Sequence, residues 1–167
     1  MIDLRFPTAL QMVLSVALGE RDSFRVTSQS LADGLGANPV LIRRLVGPLA
    51  RDGILAGFAG KGGGIKLGRR AEEITLRDIY RSALGGKPAL TPRPDVPAMC
   101  RVSANFGEYF AEVSGDVEEG ILARLGQRTV AQSLDRILEL HAQTGATGEA
   151  TVDVASARRI PRPSARR

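Results

Sequence analysis

Val26-Thr27-Ser28-Gln29-Ser30-Leu31-Ala32 leads into Leu35-Gly36-Ala37-Asn38-Pro39, then into an apolar segment carrying Arg43-Arg44, and on through Gly53-Ile54-Leu55 to Gly60-Lys61-Gly62-Gly63-Gly64. Thr27 or Ser28 can cap a helix that carries Leu31, Ala32 and Leu35 on one face and stops at Gly36. After the short turn 36–38, Asn38 caps a second helix with Pro39 at its first position. Leu41, Leu45 and Leu49 recur every four residues and form its packing stripe, which leaves Arg43 and Arg44 facing outward. The runs 54–58 and 65–67 then read as two short strands joined by the glycine loop. Two capped helices on a tight turn followed by a hairpin is the pattern of a winged helix-turn-helix, and duplex DNA is the first partner to consider.

Upstream, Leu10, Val13, Leu14, Ala17 and Leu18 fall at helical spacing, so a first helix is predicted over 7–18, with Pro7 in its first turn and Gly19 closing it. Gln11 and Ser15 interrupt this run and Arg5 alone makes a poor basic leader, so it reads as a core helix rather than a signal peptide. No run reaches the roughly twenty apolar residues of a membrane span, and the expectation is a soluble, cytoplasmic protein. Downstream, Gly47-Pro48 is expected to kink the second helix of the motif without touching its first two turns. Residues 74–84 form a further helix capped by Thr75, with Ile79 and Ala83 inward. Pro88, Pro92, Pro94 and Pro97 make 85–102 an irregular connector.

Beyond it a short helix is predicted over 103–113 and a longer one over 117–144. The longer helix carries Ile121, Leu125, Val130, Leu134, Ile137, Leu138 and His141 on one side and points to a second subunit as its cover. Residues 145–167 lack periodicity, end in Arg158-Arg159 and Arg162-Pro163-Ser164-Ala165-Arg166-Arg167, and read as a disordered basic tail. The organisation is thus a DNA-binding domain over 1–84, a connector over 85–102, dimerisation helices over 103–144 and the tail. The fold class is mainly α with a small β-wing, a winged helix-turn-helix plus a long C-terminal dimerisation helix.

Charge is distributed unevenly. The chain of 167 residues carries a formal net charge of +5. Ten Lys and Arg face five Asp and Glu in residues 1–70, eight face eleven in 71–144, and five face two in 145–167. A basic module beside an acidic one fits a polyanion bound through the first.

Several chemistries are excluded by spacing. A phosphate-binding loop needs Ser or Thr after its lysine and a helix beyond, whereas Lys61 precedes Gly62-Gly63-Gly64 and a strand-like Ile65-Lys66-Leu67. The dinucleotide fingerprint fails because its third glycine falls at Ile65. As a hairpin tip the same glycines are at home. One histidine, His141, leaves no imidazole acid–base pair, and Glu72-Glu73 and Glu118-Glu119 diverge on a helix, so no enzyme is read here. No cluster of Cys, His and carboxylates has the spacing of a metal site. The single Cys100 excludes an internal disulfide. Beside Arg101 it is a candidate for redox or ligand sensing, against the plainer role of a small half-buried hydrophobe.

Taken together, Thr27-Ser28-Gln29-Ser30-Leu31-Ala32, Asn38-Pro39-Val40-Leu41-Ile42-Arg43-Arg44-Leu45, residues 49–55, the glycine wing, Ile74-Thr75-Leu76-Arg77-Asp78-Ile79-Tyr80, and Cys100 with Leu125 and Thr129 resemble the Rrf2-type transcriptional regulators over about residues 6–140. The resemblance implies a homodimeric DNA-binding regulator, a repressor by expectation, with helix 39–52 in the major groove, wing 58–67 near the minor groove and the long C-terminal helix building the dimer. It implies DNA-binding roles for Ser28, Gln29, Asn38, Pro39, Val40, Arg43, Arg44, Lys61 and Lys66. Many members hold an iron–sulfur cluster through three closely spaced cysteines; with Cys100 alone, no such cofactor is expected, and a small molecule or a redox change is left as the effector. Many also carry arginine before the first wing glycine, where this chain has Ala59. The competing reading is a winged-helix module for protein interaction without specific DNA binding.

Overall fold

A computed structural model of the chain describes residues 3–58, 63–87, 90–93 and 97–145. Among these residues the order is α1 (Arg5–Arg21), α2 (Ser28–Leu35), α3 (Pro39–Arg51), β1 (Leu55–Phe58), β2 (Gly64–Leu67), α4 (Leu76–Leu84), α5 (Arg101–Gly126) and α6 (Val130–Gly145). The architecture is mainly helical with one small antiparallel hairpin. The chain divides into two compact units, Met1–Leu134 and Asp135–Arg167. The described part of the second is the remainder of α6, where Arg136 pairs with Glu139 at 2.8 Å and His141 is exposed. Residues 146–167, read from sequence as a disordered tail, lie outside the described residues.

The core of the first unit forms around α1. Ala9, Met12, Val13 and Val16 have no exposed surface, and Leu14 and Ala17 are buried with them, so α1 is covered on most sides rather than along one stripe. It also runs past the stop predicted for it. Gly19 lies inside the helix, and a Cβ there would sit 2.5 Å from Val26 Cγ2 and 3.1 Å from the Phe24 carbonyl oxygen. The glycine is needed because the returning chain crosses α1 at contact distance, not because the helix ends. The edge of Phe6 meets Tyr80 of α4 with ring centroids 5.2 Å apart, which ties the start of α1 to α4.

Thr75 caps α4, as the sequence predicted, and does so through a reciprocal box with Asp78; Gly85 closes the helix at φ +64°. Ile79, Tyr80, Ala83 and Leu84 bury its inner face. The Tyr80 hydroxyl donates to Glu118 Oε2 at 3.1 Å, joining α4 to α5. Burial and the facing carboxylate together push the phenol up to about 12.

The C-terminal helices differ from the sequence expectation. The longer one is α5, unbroken over 26 residues, and it begins at Arg101 with Cys100 as its N-cap. The break falls after Gly126 instead of near residue 115. There Leu76 N–H donates to the Arg128 carbonyl at 2.9 Å, Val130 N–H to that of Ile74 at 2.8 Å and Ala131 N–H to that of Ala71 at 3.1 Å. These bonds satisfy the backbone groups a helix break exposes, but they come from residues between fifty and sixty positions away, so no local pattern announces them.

Candidate nucleic-acid interface

Local chemistry sets α2. The Thr27 hydroxyl oxygen accepts from Ser30 N–H at 3.0 Å, while the Thr27 N–H donates to Ser30 Oγ at 2.8 Å, a reciprocal capping box. Thr27 is therefore the cap, and Ser28 is the first helical residue. Leu31 and Ala32 are buried, Leu35 half-buried. Gly36 ends the helix at φ +57°, a backbone angle open to glycine at little cost. Two residues later the Asn38 carboxamide oxygen accepts from Val40 N–H at 2.8 Å, and Pro39, with no N–H to satisfy, starts α3.

α3 buries Ile42, Leu45 and Leu49. The expected stripe is thereby corrected at one position. Leu41 is half-buried at the side of the helix and Ile42, with no exposed surface, takes the core place. Steps of three and four track a helical face better than two steps of four, which rotate away from it. The helix continues through Pro48 to Arg51, and Asp52 N–H closes onto the Pro48 carbonyl at 3.0 Å.

Asn38, Pro39, Val40, Arg43 and Arg44 are all exposed, Val40 at 52%. Consecutive residues turn about 100° around a helix, so the two arginines part company. Arg43 shares its side with Pro39 and Ala50; Arg44 stands toward Leu41, Pro48 and Arg51. Of the α2 candidates, Ser28 is half-buried. Gln29 is exposed, and its amide donates to Asp33 Oδ1 at 2.8 Å, which leaves its carbonyl oxygen outside that bond.

The hairpin follows directly. β1 and β2 pair antiparallel with Leu55 opposite Leu67, Ala56 opposite Lys66, Gly57 opposite Ile65 and Phe58 opposite Gly64. Leu55, Ile65 and Leu67 face the core, while Lys66 is exposed. Ile65 N–H donates to the Val26 carbonyl at 2.9 Å, so the loop-proximal part of β2 is bonded to the residue that leads into α2. This brings Arg25, exposed and overlooked in the sequence, beside β2, with its Cγ 3.5 Å from where a Cβ on Gly64 would stand. Its signal was positional only: a cation two residues before the helix cap. Ala59, Gly60, Lys61 and Gly62 lie outside the described residues, and with them the role expected of Lys61.

Cys100 lies apart from this surface in sequence and is exposed. Its sulfur accepts from Ser103 N–H at 3.5 Å and from the Ser103 hydroxyl at 3.6 Å. Those bonds, the backbone one first, together with the Val102 N–H, hold the thiol below its ordinary range.

A family model described as Rrf2, iron-dependent transcriptional regulator, matches residues 2–136. The chain belongs to the Rrf2 family. The protein named HTH-type transcriptional regulator YwnA, from Bacillus subtilis, is 25% identical over 128 residues, covering 74% of this chain and 92% of that one. Among solved structures, a transcriptional regulator from Lactobacillus plantarum is similar with a TM-score of 0.64 and 25% identity, over 86% of this chain and 99% of that one. T. potens IscR superposes with a TM-score of 0.60 at 19% identity, over 82% and 88%. This Rrf2 protein is therefore a DNA-binding transcriptional regulator with the winged-helix fold of its relatives. The donor set does not fit the iron in the family description as a cluster held by protein thiolates, since the sequence has one cysteine. Among the described residues no group of three or more His, Cys, Asp and Glu is gathered as metal ligands. Among them, too, no helix is long and apolar enough to cross a membrane.

Proposed function

We propose that this regulator is a homodimeric repressor that reads duplex DNA with the outer face of α3 in the major groove and the hairpin near the minor groove. The observation that carries the reading is the start of α3. Its Asn38 cap fixes the helix end, Ile42, Leu45 and Leu49 anchor one face, and the opposite face presents Val40 and Arg43 to solvent with no ion pair on Arg43 among the described residues. An arginine so placed can make a forked contact to guanine, and Val40 can pack on a thymine methyl. Ser28, Gln29, Asn38 and Pro39 frame this surface, Arg44 meets flanking phosphates and Lys66, with Lys61, serves the hairpin. Cys100, exposed and with its thiol held below the ordinary range by the Ser103 N–H and hydroxyl, is the proposed point of redox or ligand sensing, in place of a cluster.

The second copy is called for by α5. Val102, Phe106, Tyr109, Val113 and Val117 recur in steps of four, three, four and four, and all are exposed, Tyr109 at 63% and Val102 at 72%. Ser114 is the one buried residue of that helix. An apolar stripe at this spacing is the seam of a helix pair.

Selection of bound fragments from a genomic library identifies the operator, and titration of the labelled operator then tests the assignment. Arg43→Ala is expected to weaken binding by about 1–3 kcal/mol with the melting temperature unchanged. Unchanged affinity for Arg43→Ala, and for Arg43→Ala with Arg44→Ala, would remove α3 from the contact.

A further inference from the structure

The start of α1, the outer flank of α3 and the end of α4 enclose a cleft of about 640 Å³. Its lining includes Arg5, Arg44, Arg51 and Arg81, with Asp52 as the one carboxylate. Arg5 is engaged, since its guanidinium forks onto Asp3 and Nη1 reaches the Leu84 carbonyl at 3.5 Å. The guanidinium groups of Arg44, Arg51 and Arg81 make no hydrogen bond or ion pair among the described residues. These three come from two separate helices, α3 and α4, and line one cleft. In the same wall Ser82 is only 4% exposed, and its Oγ has no hydrogen-bond partner among the described residues. A buried hydroxyl left unpaired is costly, and a serine in a helix ordinarily returns its proton to the preceding turn.

We propose that this cleft is a binding site for a phosphate-class oxyanion, held by Arg44, Arg51 and Arg81. Guanidinium forks match the paired oxygens of phosphate, and a multivalent anion can engage more than one of the three unpaired guanidinium groups. Ser82 supplies the neutral partner. The chemistry has two sources, a free phosphorylated small molecule and the backbone of bound DNA, and Arg44 stands on the helix that the proposed function assigns to the groove. The oxyanion site itself does not depend on that assignment.

The test uses the full chain at low ionic strength, first without DNA. Calorimetric titration with inorganic pyrophosphate is expected to give saturable heat at one site per chain. Affinity falls about ten-fold or more in Arg51→Gln with Arg81→Gln, and stays at the parent value in Arg70→Gln, an exposed arginine elsewhere. Ser82→Ala loses affinity several-fold while melting at or above the parent temperature, which separates ligand binding from folding. In the second arm the same variants are titrated with operator duplex. Pyrophosphate binding lost in the variants assigns the site to a free anion. No pyrophosphate binding, with duplex affinity and its salt slope reduced in the double variant, assigns it to a DNA phosphate. Pyrophosphate and duplex binding both equal to the parent in the double variant overturn the proposal. So does pyrophosphate heat that Arg70→Gln lowers as much as the cleft variants do.

Discussion

The sulfur of Cys100 receives two hydrogen bonds from one residue, Ser103, and that residue is the lever on its acidity. Ser103→Ala removes the hydroxyl bond to the sulfur, and with it the bonds that hydroxyl accepts from the Met99 and Cys100 N–H groups, but keeps the Ser103 N–H bond, so the thiol pKa of the variant is expected to rise. The pH at which alkylation by iodoacetamide reaches half its maximum rate should rise with it, because the thiolate is the reacting form and a lowered pKa populates it at lower pH. An unmoved midpoint would show that the Ser103 hydroxyl has no part in setting the acidity. Ile42 and Leu41 make a second residue-scale contrast. Ile42→Ala removes a fully buried side chain and should cost about 2–5 kcal/mol in urea unfolding. Leu41→Ala, at the half-exposed edge of the arginine-lined cleft, should cost clearly less; equal losses would contradict the assignment of Ile42 to the core.

At the level of elements, the helix starts are the most exposed to single changes. Thr27→Ala deletes one half of the box that begins α2 and should lower stability by about 1 kcal/mol, read from the urea midpoint; Thr27→Ser should restore most of it. The caps Thr27, Asn38 and Thr75, the turn at Gly36 and the hairpin were legible in the sequence because each rests on residues within a few positions of one another. Gly19 and the break after Gly126 were not. A glycine that admits a crossing chain carries the same letter as one that ends a helix, and a break satisfied by Ile74 and Arg128 is written in two places at once. The candidate surface divides along the same line. Val40, Arg43 and Lys66 follow from helical and strand periodicity, whereas Arg5, Arg51, Arg81 and Ser82 meet only because α1, α3 and α4 pack.

For the whole molecule, the basic excess within residues 1–70 beside the acidic balance of 71–144 predicts DNA binding that weakens steeply with salt. Pairing through α5 would double the number of reading heads. Val113→Asp places a charge in the middle of the apolar stripe and should convert the dimer to a monomer in light scattering, with loss of operator affinity beyond that of any single surface arginine. A dimer of unchanged mass would exclude this face as the seam. The hairpin, finally, sets limits on how such a regulator can be retargeted. A side chain on Gly64 would stand 2.7 Å from the Val26 carbonyl oxygen, and one on Gly68 2.4 Å from that of Gly53. Between these two locked positions Lys66 points freely outward, opposite Ala56. Engineering of groove preference from β2 therefore turns on Lys66, and libraries that randomise Gly64 or Gly68 will be spent on chains that no longer close the hairpin.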